Sequence, residues 1–504
     1  MSKHTGRTAT AGFALLAATA LVVSGCAGGD ADGAAGGAPD DDRIKLAMMQ
    51  PPTAALNPYS DDVMKISRWS TGETLVRIND ALEAEPLLAT EWERVDDLTW
   101  VFTLREGVTF HDGTDFDADA VKNSIDHAVA AARPPRVIKG VTIATEVTGD
   151  NEVTITTDVP DPLLVNRLAS PQMSILSDAA YLEDGNVTPV GTGTGPFELV
   201  ELNGTSTATL DRYDDYWGDV AKLAGIDVDF VPDGTARAGA IRSGEVNIAE
   251  SIPVSQVTLL DPDDAHEVFM PRTSFLTLNS ESGPFADPAV RAAARAAIDP
   301  QTIVDTVYEG QADPAVGLLG PAIEWAEKLR GDVESSVKPA KVDGVKITLA
   351  TYTDRAENPE IAVQLEKQLE DAGFIVEQDV REYVAMEGEM LDGAFDAVVV
   401  SRNILLDMGD PLSFLSQDFT CEGGFNIAQF CDTDVDELIA NGMQVAGDER
   451  RQATMDAEAA VLQLDAVVPL VHERVVQAEA GGFANIIRDP LERRLITEFT
   501  TRGE

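Results

Sequence analysis

TSFLTLNSESGPFADPAVRAAARAAIDPQTIVDTVYEG, residues 273–310, decides how this chain is put together. Residues 274–279 alternate and are rich in β-formers, so they read as a strand. Asp287 then stands as an N-cap with Pro288 at the first helical position, and Val290, Ala294 and Ile298 line one face. Asp299-Pro300 repeats the device. The second, short helix carries Ile303, Val304, Val307 and Tyr308 as its apolar stripe and stops at Gly310.

Downstream, 345–352 reads as a strand, 359–370 as a helix ended by Gly373, 374–380 as a strand, 383–391 as a helix and 395–401 as an apolar strand. This is a βαβαβ run, predicted to lie as parallel strands with right-handed crossovers. Ligands of such sheets sit outside the carboxyl ends of the strands. The last of these ends is VSRN (400–403), which leads into ILLDMGDPLSFL (404–415). Upstream, a strand at 44–49 runs into PPTAALNPYS (51–60), a loop forced by Pro51, Pro52 and Pro58, and a helix follows at about 60–68. A hairpin is predicted over 91–94 and 99–104, then a helix capped by Asp117 with Val121, Ile125 and Val129 on one face. A strand pair at 141–159, a strand at 226–231 and a helix at 236–242 stopped by Gly244 complete the first half.

Several words recur in an ordered series: ETLV (73–76), PLLATEW (86–92), GVTFHDG (107–113), GTGTGPF (191–197), DRYDDYWG (211–218), LTLN (276–279) and PFADPAVRAAARAAID (284–299). Together they resemble the large bacterial solute-binding proteins of peptide and nickel ABC importers, family 5. The resemblance covers nearly the whole mature chain. It implies an α/β fold of the two-lobed periplasmic-binding-protein type II kind, with an extra subdomain in the first lobe. The first lobe would comprise 43–77, 191–275 and 477–504, the extra subdomain 78–190, and the second lobe 276–476, with hinges near 270–279 and 468–477. The implied function is capture of an oligopeptide or dipeptide for an ABC permease and its ATPase subunits, as a monomer and with no cofactor.

The resemblance also implies a site. Peptide-binding members carry D-x-x-[D/E]-P-x-x-F-L, whose first Asp pairs with the ligand's α-ammonium. The matching residues are Asp407 and, after it, Asp410-Pro411. Arg402 and Asn403 at the strand end, and Asn57 in the first loop, are the other expected ligand contacts. A desolvated carboxylate selects strongly for a cation, since leaving it unpaired costs about 3–5 kcal/mol. The rival role for Asp407 is capping of the helix that begins near Pro411. Nickel chelate, haem and oligosaccharide are the alternative solutes. The Asp407 loop lacks the aromatic and His residues of nickel-binding members, and 6% aromatic content is lean for sugar stacking.

The N-terminus has Lys3 and Arg7, an apolar run over 9–23 and then VSGC (23–26), the pattern of a lipoprotein signal peptide over 1–25 with Cys26 as the lipidated first residue. An uncleaved anchor or an ordinary secretory leader are the alternatives, and the run is short for a spanning helix of about 20 apolar residues. Residues 26–42 read as a tether of Gly, Ala and Asp. The protein would thus be lipid-anchored on the extracytoplasmic face. In an exported chain the remaining cysteines, Cys421 and Cys431, read as a disulfide closing a small loop, worth about 3 kcal/mol in the chain-entropy model. Neither a C-x-x-C nor a nearby His supports the rival metal site.

Composition excludes whole classes. Against 37 basic residues stand 87 acidic ones, a net charge of −50 that argues against nucleic acid and anionic lipid as partners. No H-E-x-x-H, G-x-S-x-G or P-loop supports a membrane-anchored hydrolase. Pro196 and the strand-like residues after it argue against a phosphate loop at GTGTGPF. His111 reads as a structural hydrogen-bonding residue, and Trp217 as core.

Overall fold

The computed structural model describes residues 42–60, 62–353, 355, 357–405 and 408–503. One mixed sheet of eleven strands runs through both lobes among the described residues. Its second-lobe end is the βαβαβ run: Val345–Tyr352 lies between Phe374–Arg381 and Ala397–Asn403, parallel to both. Its first-lobe end places Arg43–Met48 between Gly225–Phe230 and Ile248–Ile252, also parallel to both, with Thr207–Arg212 and Phe197–Asn203 beyond.

Two long antiparallel strands join these halves, Ala265–Leu278 and Val467–Glu479. In the first lobe, residues 265–269 pair with 474–478; in the second, 273–277 pair with 467–472 while 272–278 also pair with Ala397–Asn403. The register slips between Phe269 and Thr273 and again between Ser274 and Phe275. The interruption explains why the sequence shows only the second half of the first crossing strand. Pro271 lacks an N–H and is tolerated in a strand at a bulge. Its carbonyl is used nonetheless, accepting from Ile404 N at 2.8 Å.

Each lobe has its own core. Ile44, Leu46, Trp69, Phe197, Val228 and Ile496 are among the buried residues of the first, so the C-terminal segment returns to it. Leu276, Leu278, Ala294, Ile303, Val399 and Leu470 are among those of the second. The two helices of the opening stretch, Pro288–Ala297 and Pro300–Val307, start where their caps place them: Asp287 accepts from Ala289 N at 2.9 Å and Asp299 from Gln301 N at 3.1 Å. A separate four-stranded sheet, in the order Ala89–Arg94, Thr99–Leu104, Glu152–Thr157, Ile143–Gly149, builds the extra subdomain with the helix Ala118–Ala130.

The GTGTGPF word is a close approach of two backbones. A Cβ on Gly193 or Gly195 would stand 2.0 Å from the carbonyl oxygens of Thr71 and Ser70 respectively. His111 closes this junction, donating its N–H to Gly193 O at 2.8 Å and setting Nε2 2.9 Å from Gly195 O. Burial holds its pKa down at about 4, so it is a neutral structural residue. Beside it Glu73 is fully enclosed, accepting from Thr194 Oγ1 at 2.8 Å, Tyr216 Oη at 3.0 Å and Trp217 Nε1 at 2.9 Å. Trp217 therefore pins the subdomain junction, with the Arg105 guanidinium 4.1 Å from its ring centre.

Candidate functional site

The carboxyl ends of Val345–Tyr352 and Ala397–Asn403 meet the crossing strands where the lobes join. Arg272 lies directly opposite Asn403, and Thr273 opposite Arg402. Glu473, on the other crossing strand, is buried. It accepts from Ser274 Oγ at 3.0 Å, from Ser401 Oγ in a short bond, and from Arg355 Nη1 at 2.9 Å. Burial alone would raise its pKa, but Arg355 and Arg272 with the two hydroxyls hold it below the ordinary carboxylate value. It stays ionised.

Arg272 sends Nη1 to Ser401 O at 3.2 Å and makes no ion pair among the described residues. Burial, with the neighbouring Arg355, lowers its pKa from the usual guanidinium value. Tyr352 fixes the strand end from the other side, accepting from Ser401 N at 2.9 Å and donating to Ser401 O at 3.2 Å. Arg355 follows three residues beyond Tyr352, and its side chain is 33% exposed. The floor between the lobes thus carries two guanidiniums and one carboxylate.

Of the residues expected to touch ligand, Asn403 is brought to this floor opposite Arg272, whereas Arg402, opposite Thr273, alternates to the other face of the strand. Arg402 holds Asp418 through Nε at 3.0 Å and Nη2 at 2.7 Å and lies 3.9 Å from the ring centre of Phe425. Asp418 is pushed up to about 6 by burial, against the pull of Arg402. Asn403 Oδ1 accepts from Leu405 N at 3.0 Å. Asn57 closes its own turn, with Oδ1 accepting from Tyr59 N at 2.9 Å, and makes no hydrogen bond to the floor residues. Asp407 and Cys26 lie outside the described residues.

Asp410 has partners that the sequence reading did not foresee. Expected as a ligand contact, it caps the helix Pro411–Asp418, accepting from Ser413 N at 2.8 Å and Ser413 Oγ at 2.7 Å. It also takes a bidentate pair from Arg450, Nε and Nη2 each at 2.7 Å. Both oxygens thus take bonds within the second lobe, and Asp410 also lines the cavity between the lobes.

The following loop is docked across the lobes. Asn166 of the extra subdomain donates to Met408 O at 3.0 Å, and Arg451 of the second lobe reaches Glu83 at 2.9 Å. A cavity of about 350 Å³ lies at this seam, lined from one side by Leu82, Glu83 and Asn166 and from the other by Trp325, Gly409 and Arg451. Cys421 and Cys431 are joined by a disulfide just beyond the helix Pro411–Asp418. No group of three or more His, Cys, Asp or Glu that could hold a metal ion occurs among the described residues.

Arg272, Arg355 and Glu473 escaped the sequence reading. The available signal was position: Arg355 follows a predicted strand end in the βαβαβ run, where ligands bind. Arg272 and Glu473 could be placed only by the pairing of two strands about 200 residues apart in sequence.

Two lobes joined by paired crossing strands, with charged side chains gathered between them, define a binding protein of the two-lobed class. The family model described as bacterial extracellular solute-binding proteins, family 5, middle region, matches residues 83–426. The nickel-binding protein NikA of Staphylococcus aureus is 28% identical over 441 residues, 85% of this chain and 86% of that protein. The glutathione-binding protein GsiB of Escherichia coli K12 is 27% identical over 458 residues, 84% and 88% of the two chains. The crystal structure of a nickel ABC transporter protein from Bacillus halodurans superposes with a TM-score of 0.76 at 26% identity, over 91% of this chain and all of that one. The chain belongs to family 5 of the bacterial extracellular solute-binding proteins. These relatives bind solutes.

Proposed function

We propose that this protein captures a small peptide-like solute between its lobes and delivers it to an ABC permease, tethered outside the membrane by a lipid on Cys26. The observation that carries the reading is the convergence of Arg272, Arg355, Glu473 and Asn403 at parallel strand ends against the crossing strands. A solute held there touches the hinge itself. Its differential affinity for the closed form then supplies the driving force for closure.

The peptide class is supported by the Asp407 loop. The helix at Pro411 has its cap in Asp410, which supports a ligand role for Asp407 over a capping one. Asp407 then serves as the partner of a ligand ammonium. Glutathione, after which one relative is named, is itself peptide-like and carries such a group. The second reading is a nickel chelate, favoured by the nickel-binding relative. It would have to be held through its organic ligand, given the lack of a metal-ligating cluster among the described residues.

Mass spectrometry of protein purified from the membrane fraction tests both halves. The released small molecule is expected to be peptide-like, with an amino group. The mature chain is expected to start at a diacylglyceryl-modified Cys26. Release of haem or a neutral sugar would contradict the solute reading, and an unmodified start would contradict the anchor.

A further inference from the structure

Successive arginines near the start of the helix Gly447–Gln463 point about 100° apart around its axis and find partners in different parts of the molecule. Arg450 turns inward to Asp410. Arg451 crosses the seam, where Nη2 reaches Glu83 Oε1 at 2.9 Å and Ala81 O at 3.3 Å, both in the turn between the paired strands Val76–Ile78 and Ala84–Pro86. Its other nitrogen, Nη1, stays with Asp448 of its own helix at 3.2 Å, and the guanidinium lies 6.0 Å from the ring centre of Trp325. Asp448 and Trp325 thus aim the side chain across the seam, which reduces the rotamer freedom lost when the bond forms. Around the same cavity Asn166 donates to Met408 O at 3.0 Å, and Ile78 borders Gly409. None of these residues lies on the crossing strands or among the charged groups of the floor.

We infer that Arg451 and Glu83 form a clasp between the lobes, a contact made only in the closed form, which raises the affinity for every solute by the same factor without touching any of them. The inference rests on the proposed capture of a solute by closure. A bond present in the closed form alone shifts the open–closed equilibrium towards it, and apparent affinity scales with the fraction of molecules in the binding-competent state. The two residues are positioning residues: they act through the arrangement of the lobes, whereas a group in contact with the solute discriminates between one solute and another. Both side chains keep contact with water, Arg451 at 25% and Glu83 at 60% exposure, so the clasp is worth a few-fold in affinity and is weakened by salt.

Trialanine and glutathione serve as probes on the full mature protein. Dyes on Glu93→Cys and Glu437→Cys, exposed positions on the two sides of the seam, report the closed fraction by energy transfer, with and without each probe. Glu83→Gln and Arg451→Gln are each expected to lower the closed fraction and to speed dissociation of both probes by about 3-fold, with association rate and melting temperature unchanged. The double variant is expected to match Arg451→Gln, because the second substitution has no bond left to break. In about 1 M salt the difference between wild type and variants is expected to vanish. Additive effects of the two substitutions, a different factor for each probe, or closed fractions and rates equal to the wild type would overturn the clasp and leave solute capture standing. If neither probe binds, a closed fraction lowered in the variants keeps the clasp and overturns the peptide-like solute, and an unchanged one overturns both.

Discussion

Asp410→Asn is expected to lower the stability of the second lobe by about 3–5 kcal/mol, because it strips the charge partner from a buried guanidinium. Arg450 and Asp410 are each only 8% exposed and bonded through two nitrogens to two oxygens. The substitution isolates that pair, since Asn is as good a helix cap as Asp and can still accept from Ser413 N. What remains to Arg450 is carbonyl oxygen, from Gly442 at 3.0 Å and from Val445, and the Met443 sulfur at 3.2 Å. The pair ties the start of the helix Pro411–Asp418 to the helix Gly447–Gln463, so its loss acts on the loop docked at the seam. Denaturant unfolding measures the change. Replacing both partners, as Asp410→Asn with Arg450→Met, should recover part of the loss, whereas a single-variant loss below about 1 kcal/mol would show that the pair is effectively solvated.

The second large effect is on pH dependence. Among the described residues Glu73 has no cationic partner, and burial, against the bonds from Trp217, Thr194 and Tyr216, pushes its pKa up to about 7. The unfolded chain would titrate it at the ordinary 4.5. A carboxylate whose folded pKa is raised binds its proton more tightly when folded. Below about pH 4.5 both states are protonated and the site costs nothing; between 4.5 and 7 the folded state loses ground as pH rises; above 7 the full cost is present. At about 1.4 kcal/mol per pKa unit that cost is about 3 kcal/mol. Glu73→Gln reproduces the protonated form, with its carbonyl facing Trp217 and its N–H₂ facing the Tyr216 hydroxyl, which can accept. The variant is expected to be the more stable protein at pH 8 by about 3 kcal/mol, the gap closing towards pH 4.5. Taking the difference between the two proteins cancels titration elsewhere, including that of His111, His472 and Asp418. A gap independent of pH would show that Glu73 ionises as it does in water.

Much of this architecture could be read from the chain because local signals agreed with the tertiary outcome. Asp287-Pro288 and Asp299-Pro300 cap where they stand because an N-cap needs only its own first turn. The βαβαβ run was equally legible, each strand being apolar and punctuated by Gly373 or a short polar turn. The crossing strands were only half visible. Pro271 and the register slip interrupt one of them, and the apolar stretch 467–479 has no turn within it to mark where it passes between lobes.

The site was legible in outline alone. Asn403 follows from the end of one strand, but the Arg272–Asn403 pairing depends on a contact 131 residues apart in sequence. The pairing of Asp410 with Arg450 was not legible, because a carboxylate near a strand end looks the same in sequence whether it meets a solute or a buried arginine. The decisive partner, Arg450, lies 40 residues later on a helix whose docking no local pattern announces.

Whether Asp407 reads the solute decides whether the solute is a peptide. Calorimetry of Asp407→Asn with trialanine measures this most directly, because the helix that follows keeps its cap in Asp410 and the fold should be undisturbed. The melting temperature is expected to stay at the wild-type value while affinity falls by 10-fold or more, about 1.4 kcal/mol or above. Equal affinity of the wild type and Asp407→Asn for trialanine would contradict the ammonium-binding role and, with it, the peptide as the solute.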